Sequence, residues 1–412
     1  MKILVITTKS PFPLYEGRAL RTYNLIKQIA RKHEIYLLTF VQTPEEVSGV
    51  EHMRTICAGV EAVPLYLGRG KWQILLDLVR ELFSSSPLLA VKYRSRVMRK
   101  KIRSVLAAHP IDLVHLDMLH LGDYLGLFGE LPVVMVEHNV ESVLLRRRAE
   151  NESNPLRKAY VYYQYLKLRR YEARICRQSD HVVTVSEMDS DLLRAMSGAA
   201  NITAIPNGVD TGYFQDTGSS KHANDLVFVG GLSWFPNYDA VHYFCAEVLP
   251  RIAAEIPDVV LTIVGKRPDD KKIRDILGNL RVRLTGLIDD VRPTISEAAV
   301  YVVPLRIGGG TRLKILDAMS MGKAIVSTAV GCEGLDVVHG EHILVADDPE
   351  GIAREVIKVL RDRKLARRLG EAGRRLVQKK YEWEIIARDL ERVYEDCQSR
   401  SVKRLHVASR SE

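Results

Sequence analysis

Three glycines run directly into two cations in the segment IGGGTRLKILDAMSMGKAIV, residues 307–326. Thr311 is a good N-cap, and Leu313, Leu316 and Met319 recur at helical spacing, so a helix is predicted to open at Thr311 with Arg312 and Lys314 in its first turn. Cations there face the positive end of the helix dipole, which costs roughly a few tenths of a kcal/mol each. An anion lodged against the exposed N–H groups reverses that sign, and Gly309 and Gly310 let it approach closely. The pattern is that of a diphosphate site; the bland alternative is a flexible turn before an ordinary helix. Asp317 follows Lys314 by three residues and shares its face. It either pairs with Lys314 or accepts hydrogen bonds from ribose hydroxyls while the helix start holds phosphates, as acidic residues do in dinucleotide folds.

Two further groups of residues suggest chemistry. His138 closes the run PVVMVEH and so stands at the carboxyl end of a strand, either as a reactive imidazole or as a satisfied structural histidine. The segments VKYRSRVMRKKIR (91–103) and RKAYVYYQYLKLRRYEARICR (157–177) each carry seven basic residues. Arg94, Arg99, Lys100, Lys101, Arg169 and Arg170 are their candidate contacts. Basic residues interleaved with tyrosine and leucine suit anionic lipid headgroups, although a solvated helix face explains them as well. Nucleic acid ranks lower, because no recognisable nucleic-acid module accompanies the segments.

The elements that must position these residues read as α/β. Short β-branched runs recur along the chain: KILVIT, EIYLLTF, DLVHLD, PVVMVEH, HVVTVS, NITAIP, DLVFVG, VVLTIVG, RVRLTG, VYVVPL, KAIVST and ILVA. Most are separated by helical lengths, and strands apolar on both faces imply parallel sheets covered on both sides. They are too many for one sheet. A chain of 412 residues points to two domains, and the Pro, Asn-Gly and small polar residues of IPNGVDTGYFQDTGSSKHAND mark a linker. The expected division is residues 1–205, a linker at 206–225, residues 226–380, and a terminal helix with a basic tail at 381–412. Neither half carries GxGxxG after its first strand, which argues against a nicotinamide dehydrogenase, and there is no Walker A motif. The net charge of +9 favours anionic partners. Five scattered cysteines without CxxC spacing fit a reduced, cytoplasmic protein. No apolar run approaches the ~18 residues of a membrane span, so any membrane contact is expected to be peripheral, at the inner face.

The order of motifs resembles the retaining family 4 glycosyltransferases of the GT-B fold, including bacterial exopolysaccharide-type enzymes. It rests on PFPLYEGRALR, DLVHLD, VEHN, SDHVVTVSEMDSDLL, IPNGVD, FVGGLSWFPNYDAV, LTIVG, RLTGLIDDVRP and GGGTRLKILDAMSMGKAIVSTAVGCEGL, spread over essentially the whole chain. The resemblance implies two Rossmann-like doubly wound domains facing a cleft. It also implies a nucleotide-diphosphate sugar such as a UDP-sugar as co-substrate, no cofactor, no metal, and a glycan or lipid-linked glycan acceptor bound by the first half. The family's paired acidic residues map to Gly309 and Asp317, so the second is retained for ribose and the first is lost. The Arg and Lys that relatives place after the first strand of the second domain are missing from GGLSWFPNYDAV. Arg312, Lys314 and Lys266 are the nearest replacements. Gly17, beside Glu16, maps to the loop whose backbone approaches the donor phosphate. His138 maps to a histidine near the reacting sugar, expected to donate a hydrogen bond to a sugar hydroxyl. A nucleotide-sugar epimerase of the same fold and a non-catalytic sugar-nucleotide-binding relative are the alternatives.

Overall fold

The computed structural model describes residues 1–14, 17–65, 86–150, 152–218, 223–266, 281–307 and 313–408, with side chains through residue 401. The chain divides into two compact units: Met1–Pro206 together with Ile386–Glu412, and Asn207–Ile385.

The first unit is built on a seven-stranded sheet in the order β3-β2-β1-β4-β5-β6-β7, every pair parallel. Its strands are β1 (Lys2–Thr7), β2 (Glu34–Val41), β3 (Gly59–Pro64), β4 (Leu113–Asp117), β5 (Val133–Val136), β6 (His181–Thr184) and β7 (Ile202–Ala204). The helices are α1 (Gly17–Ile29), α2 (Pro44–Arg54), α3 (Leu88–Val91), α4 (Arg96–Ala108), α5 (Glu141–Glu150), α6 (Pro155–Gln178) and α7 (Glu187–Ser197). Leu4, Ile6, Leu38, Val114, Leu116 and Met135 are at most 1% exposed, as expected of strands covered on both faces. Local signals start the helices. Thr43, Ser95 and Ser186 accept from backbone N–H groups three residues on, with Pro44 opening α2.

The second unit holds a six-stranded parallel sheet, β10-β9-β8-β11-β12-β13. The strands are β8 (Asp225–Val229), β9 (Val260–Val264), β10 (Val282–Gly286), β11 (Val300–Val303), β12 (Ala324–Ser327) and β13 (Leu344–Val345). The helices are α8 (Phe235–Tyr243), α9 (Leu249–Glu255), α10 (Arg292–Glu297), α11 (Leu313–Ser320), α12 (Pro349–Arg361) and α13 (Arg363–Lys380). Residues 207–218 pack onto this unit: Val209 is 2% exposed, Phe214 joins its core, and Ser320 Oγ donates to the Phe214 carbonyl at 2.7 Å.

The last helix, α14 (Trp383–Ala408), carries Ile386 onward into the first unit, where Tyr394 is 1% exposed. It runs well past Cys397, where the apolar pattern gives out. Strand β3 has no counterpart in the sequence reading. Its segment GVEAVP is short, begins with glycine and sits at the sheet edge with a mixed burial pattern, so it lacks the apolar run that marks the inner strands.

In both sheets the strand order reverses beside the first strand of the unit, between β1 and β4 and between β8 and β11. Such switch points, at the carboxyl ends of the strands, are where open parallel sheets bind ligands. The candidate residues gather at these two edges.

Candidate active site

Asp117 ends β4 at the switch point of the first sheet, in register with Thr7 of β1. It is 6% exposed and accepts from Thr22 Oγ1 of α1 at 2.8 Å and from His138 Nε2 at 2.9 Å. Behind it His115 places Nε2 3.8 Å from the same carboxylate and shares a 2.5 Å hydrogen bond between Nδ1 and the Tyr394 hydroxyl of α14. Arg21 of α1, fully buried, donates to the carbonyls of Ile205 (2.8 Å) and Pro206 (2.7 Å), where the first unit ends. Burial lowers its pKa to about 10 against the pull of Asp117, which leaves it charged.

This packing sets the protonation states. Burial by itself drives Asp117 upward, but His138 and His115 outweigh it and hold the carboxylate below its usual range. Burial pushes His138 below its ordinary value, opposed by Asp117 and reinforced by the charges of Arg21 and Arg18. At neutral pH the site therefore holds an anionic Asp117 and a neutral imidazole. Because the carboxylate can only accept, the Nε2–H of that imidazole is committed to it, and Nδ1 is left as an acceptor. This corrects the expectation that His138 has a hydrogen to donate to a sugar hydroxyl: the ring is left with an acceptor only. Glu137 turns into the helix layer, 1% exposed, and both its oxygens lack a hydrogen-bond partner. Burial first, then Glu172 and Glu141, holds its carboxyl well above the usual range.

Arg18 is a residue the sequence reading passed over. It lies in the first turn of α1, one residue after Gly17, with Nη1 2.7 Å from the sulfur of Met118. Met118 follows Asp117 directly and holds a positive φ of 115°, a conformation rare outside glycine. The charge of Arg18 acts on His138, His120 and Glu141 together. Burial is the main reason that His120 falls to about 3, so it too is neutral. A signal for this cluster existed in DLVHLDMLH, whose polar side chains interrupt an otherwise apolar strand, but only three-dimensional pairing shows that Asp117 and His138 meet.

The edge of the second sheet is made differently. The turns after β8 and β9 touch backbone to backbone: a Cβ on Gly265, which has φ +153°, would lie 2.4 Å from the Gly230 carbonyl oxygen and 2.8 Å from the Gly231 nitrogen. Glycine is required there by a close approach as well as by the dihedral. The Lys314 ammonium and the backbone of Lys266 meet at the Gly230–Gly231 turn. Lys314, near the start of α11, donates to Asn237 Oδ1 at 2.8 Å and lies 4.5 Å from the centre of the Phe228 ring; its ammonium would contact a Cβ on Gly230 at 2.8 Å. Lys266 is exposed, and its carbonyl accepts from the Leu232 N–H at 3.0 Å. The turn that lacks the usual Arg and Lys thus receives a cation from a helix some 80 residues further on.

Asp317 sits on α11 beside the buried Tyr301 hydroxyl, which has no hydrogen-bond partner. Burial pushes its carboxyl up to about 8. Lys314 reaches toward Asn237, and among the described residues burial alone moves Asp317. Gly309, Gly310, Thr311 and Arg312 lie outside the described residues, as does Glu16; Gly17 is the exposed first residue of α1.

Among the surface candidates, Arg94 is tied to Asp123 and Ser86 at 2.5 Å each, Lys101 pairs with Glu61 at 2.5 Å, and Arg99 lies over the Tyr124 ring. Lys100, Arg169 and Arg170 are exposed. The Asp189–Asp191 pair has structural partners: Ser186 Oγ donates to Asp189 at 2.7 Å, and Asp191 meets Arg194 at 2.8 Å. Among the described residues no cluster of three or more His, Cys, Asp or Glu could hold a metal ion, and no helix is long and apolar enough to cross a membrane. All five cysteines are buried thiols.

Comparison with known families covers both units. Residues 16–213 match the model described as Glycosyltransferase Family 4, and residues 223–362 match that of Glycosyl transferases group 1. The chain belongs to the family 4 glycosyltransferases. This glycosyltransferase is 24% identical over 368 residues to an uncharacterized 44.6 kDa protein in the cps region of Klebsiella pneumoniae, covering 86% of this chain and 90% of that one. It is 29% identical over 231 residues to the phosphatidyl-myo-inositol mannosyltransferase of Mycolicibacterium smegmatis, covering 52% of this chain and 58% of the relative. Its fold is that of sucrose-phosphate synthase from Thermosynechococcus elongatus, with a TM-score of 0.69 at 20% identity over 96% of this chain and 98% of that one. HepE of Anabaena in complex with UDP gives 0.68 at 14% identity over 96% and 100%. The glycosyltransferase therefore has the GT-B architecture of two Rossmann-like parallel-sheet domains.

Proposed function

We propose that this glycosyltransferase moves a sugar from a nucleotide-diphosphate sugar to a hydroxyl of a glycan or lipid-linked glycan, with retention of configuration and without a metal ion. The observation that carries the reading is the meeting of the Lys314 ammonium with the glycine turns at the switch point of the second sheet, where an anionic ligand would find a cation and close backbone, with Lys266 the next residue after Gly265. Asp317, four residues after Leu313 at the start of α11, supplies the acceptor for ribose hydroxyls, and Arg312 with Gly309 to Thr311 is assigned the remaining phosphate contacts.

In the first unit, Gly17 and Arg18 bring a helix start and a guanidinium to the edge that also holds His138. Neutral His138, fixed by Asp117, accepts a hydrogen bond from a hydroxyl of the transferred sugar and orients its anomeric carbon. Retention needs no strong enzymic base: the departing diphosphate takes the proton of the incoming hydroxyl, while the cations stabilise the charge that develops on it. The basic, aromatic faces of α4 and α6 suit an anionic membrane surface that presents a lipid-linked acceptor. The HepE structures contain UDP or UDP-glucose, which supports a nucleotide sugar as the donor class.

Release of nucleotide from a panel of nucleotide sugars, without acceptor, tests this directly. Slow release from at least one donor, unchanged by EDTA, is expected. No release from any donor contradicts the transfer reading, and release abolished by EDTA contradicts the metal-free mechanism.

A further inference from the structure

A cavity of about 320 Å³ opens among α5, α6 and α7 of the first unit, within the size range of small-molecule sites. Its wall is apolar: Val140 and Val143 on one side, Leu192 and Met196, one turn apart on α7, on the other. Two guanidiniums line it as well, Arg146 of α5 and Arg169 of α6. Val140 is only two residues past His138, so the cavity begins beside the catalytic edge.

The charge around it is uneven. Arg146 is half exposed and meets Glu150 at 3.3 Å, a surface pair of small energetic weight. Arg169 has no salt-bridge partner among the described residues. The nearest acid on α6 is Glu172, which accepts from the Glu141 N–H at 3.0 Å and which burial raises to about 7. Leu192 remains 40% exposed beside this opening, a large apolar side chain left against solvent.

From this arrangement we infer that the cavity binds a phosphate ester with an apolar tail, the phosphate held by Arg146 and Arg169 and the first carbons of the tail lying against Val140, Val143, Leu192 and Met196. The inference deepens the proposed function, on which it rests: it assigns the acceptor's lipid-phosphate portion to a place next to His138. Free phosphate shares the head chemistry but not the apolar wall. Neutral amphiphiles share the wall but not the head.

Calorimetric titration of the full chain with farnesyl phosphate, farnesol and inorganic phosphate separates these sources. Farnesyl phosphate is expected to bind at least about tenfold more tightly than either of the other two. Met196→Trp, which fills the cavity, and the pair Arg146→Gln with Arg169→Gln, which removes the charge, should each weaken it by about tenfold. Inorganic phosphate binding as well as the ester, farnesol binding as well as the ester, or variants that bind like the parent chain would each overturn the assignment. The arginine pair lies at the surface, so it remains a fair test if the tryptophan variant fails to fold. Nucleotide release by the parent chain, measured alongside, reports on the proposed function separately: release without farnesyl phosphate binding sinks only the cavity.

Discussion

The two sheets offer their switch points to ligands in contrasting ways. At the end of β4 the polar groups face one another: Asp117 holds Thr22 and His138, His115 beside it holds Tyr394, and Arg21 lies behind. At the end of β8 the turn is bare backbone, and a charge arrives from elsewhere, the Lys314 ammonium hydrogen-bonded to the Asn237 amide and lying over the Phe228 ring. The first edge is pre-organised and costs little to keep in place when substrate binds. The second brings an ammonium against exposed backbone, where an incoming anion would meet it. Under the proposed function, that difference gives orientation of the reacting sugar to the first edge and capture of the diphosphate to the second.

The sharpest way to break the contrast is to remove the hub of the first edge. Asp117→Ala leaves the buried Arg21 without its nearby countercharge and should cost about 3–5 kcal/mol of stability, read by urea denaturation. A loss under about 1 kcal/mol would mean that the chain is not a structural unit. His138→Ala should keep the fold but slow transfer by about 100-fold, with nucleotide affinity nearly unchanged. Weakened nucleotide binding with an intact rate would move His138 to the donor's phosphates and erase the division of labour.

On the second edge, Gly265→Ala forces a side chain into the Gly230 carbonyl at a left-handed φ, and should destabilise by about 1–3 kcal/mol. Its thermal midpoint should fall, and nucleotide affinity with it, because the two turns can no longer touch. The smallest expected effect is a pH dependence. Asp317 is raised in the fold, so its contribution to stability is intact below its ordinary value of 3.8 and is lost as pH rises through about 8. Asp317→Asn should therefore melt increasingly above the parent chain between pH 5 and pH 9. The ribose role requires the ionised form, so nucleotide binding by the parent should strengthen as pH approaches 8, and the Asn variant should show no such rise.

Much of this was legible from residues alone. All twelve of the runs named occur as strands; β3 was hidden because GVEAVP is a short edge segment that begins with glycine and carries no apolar run. The helix that carries Lys314 was visible because a lysine in a first turn opposes the dipole. What a linear reading could not supply was convergence. Nothing in GGLSWFPNYDAV signals that Lys314 fills in for its missing cations, since that depends on β8 and β11 being neighbours in the sheet. Nor does spacing show that Asp117 takes the donor hydrogen of His138, which changes the sign of that residue's contact with substrate. Arg18 escaped notice because its role depends on Met118 and His120, about 100 residues away.

The claim on which the rest depends is that the second edge holds a diphosphate. Calorimetric titration of UDP and UMP into the parent chain and into Lys314→Ala tests it most directly. The second phosphate should strengthen binding by about tenfold or more in the parent, and most of that advantage should vanish in the variant. Equal affinities for UDP and UMP, or a variant that keeps the full advantage, would contradict it.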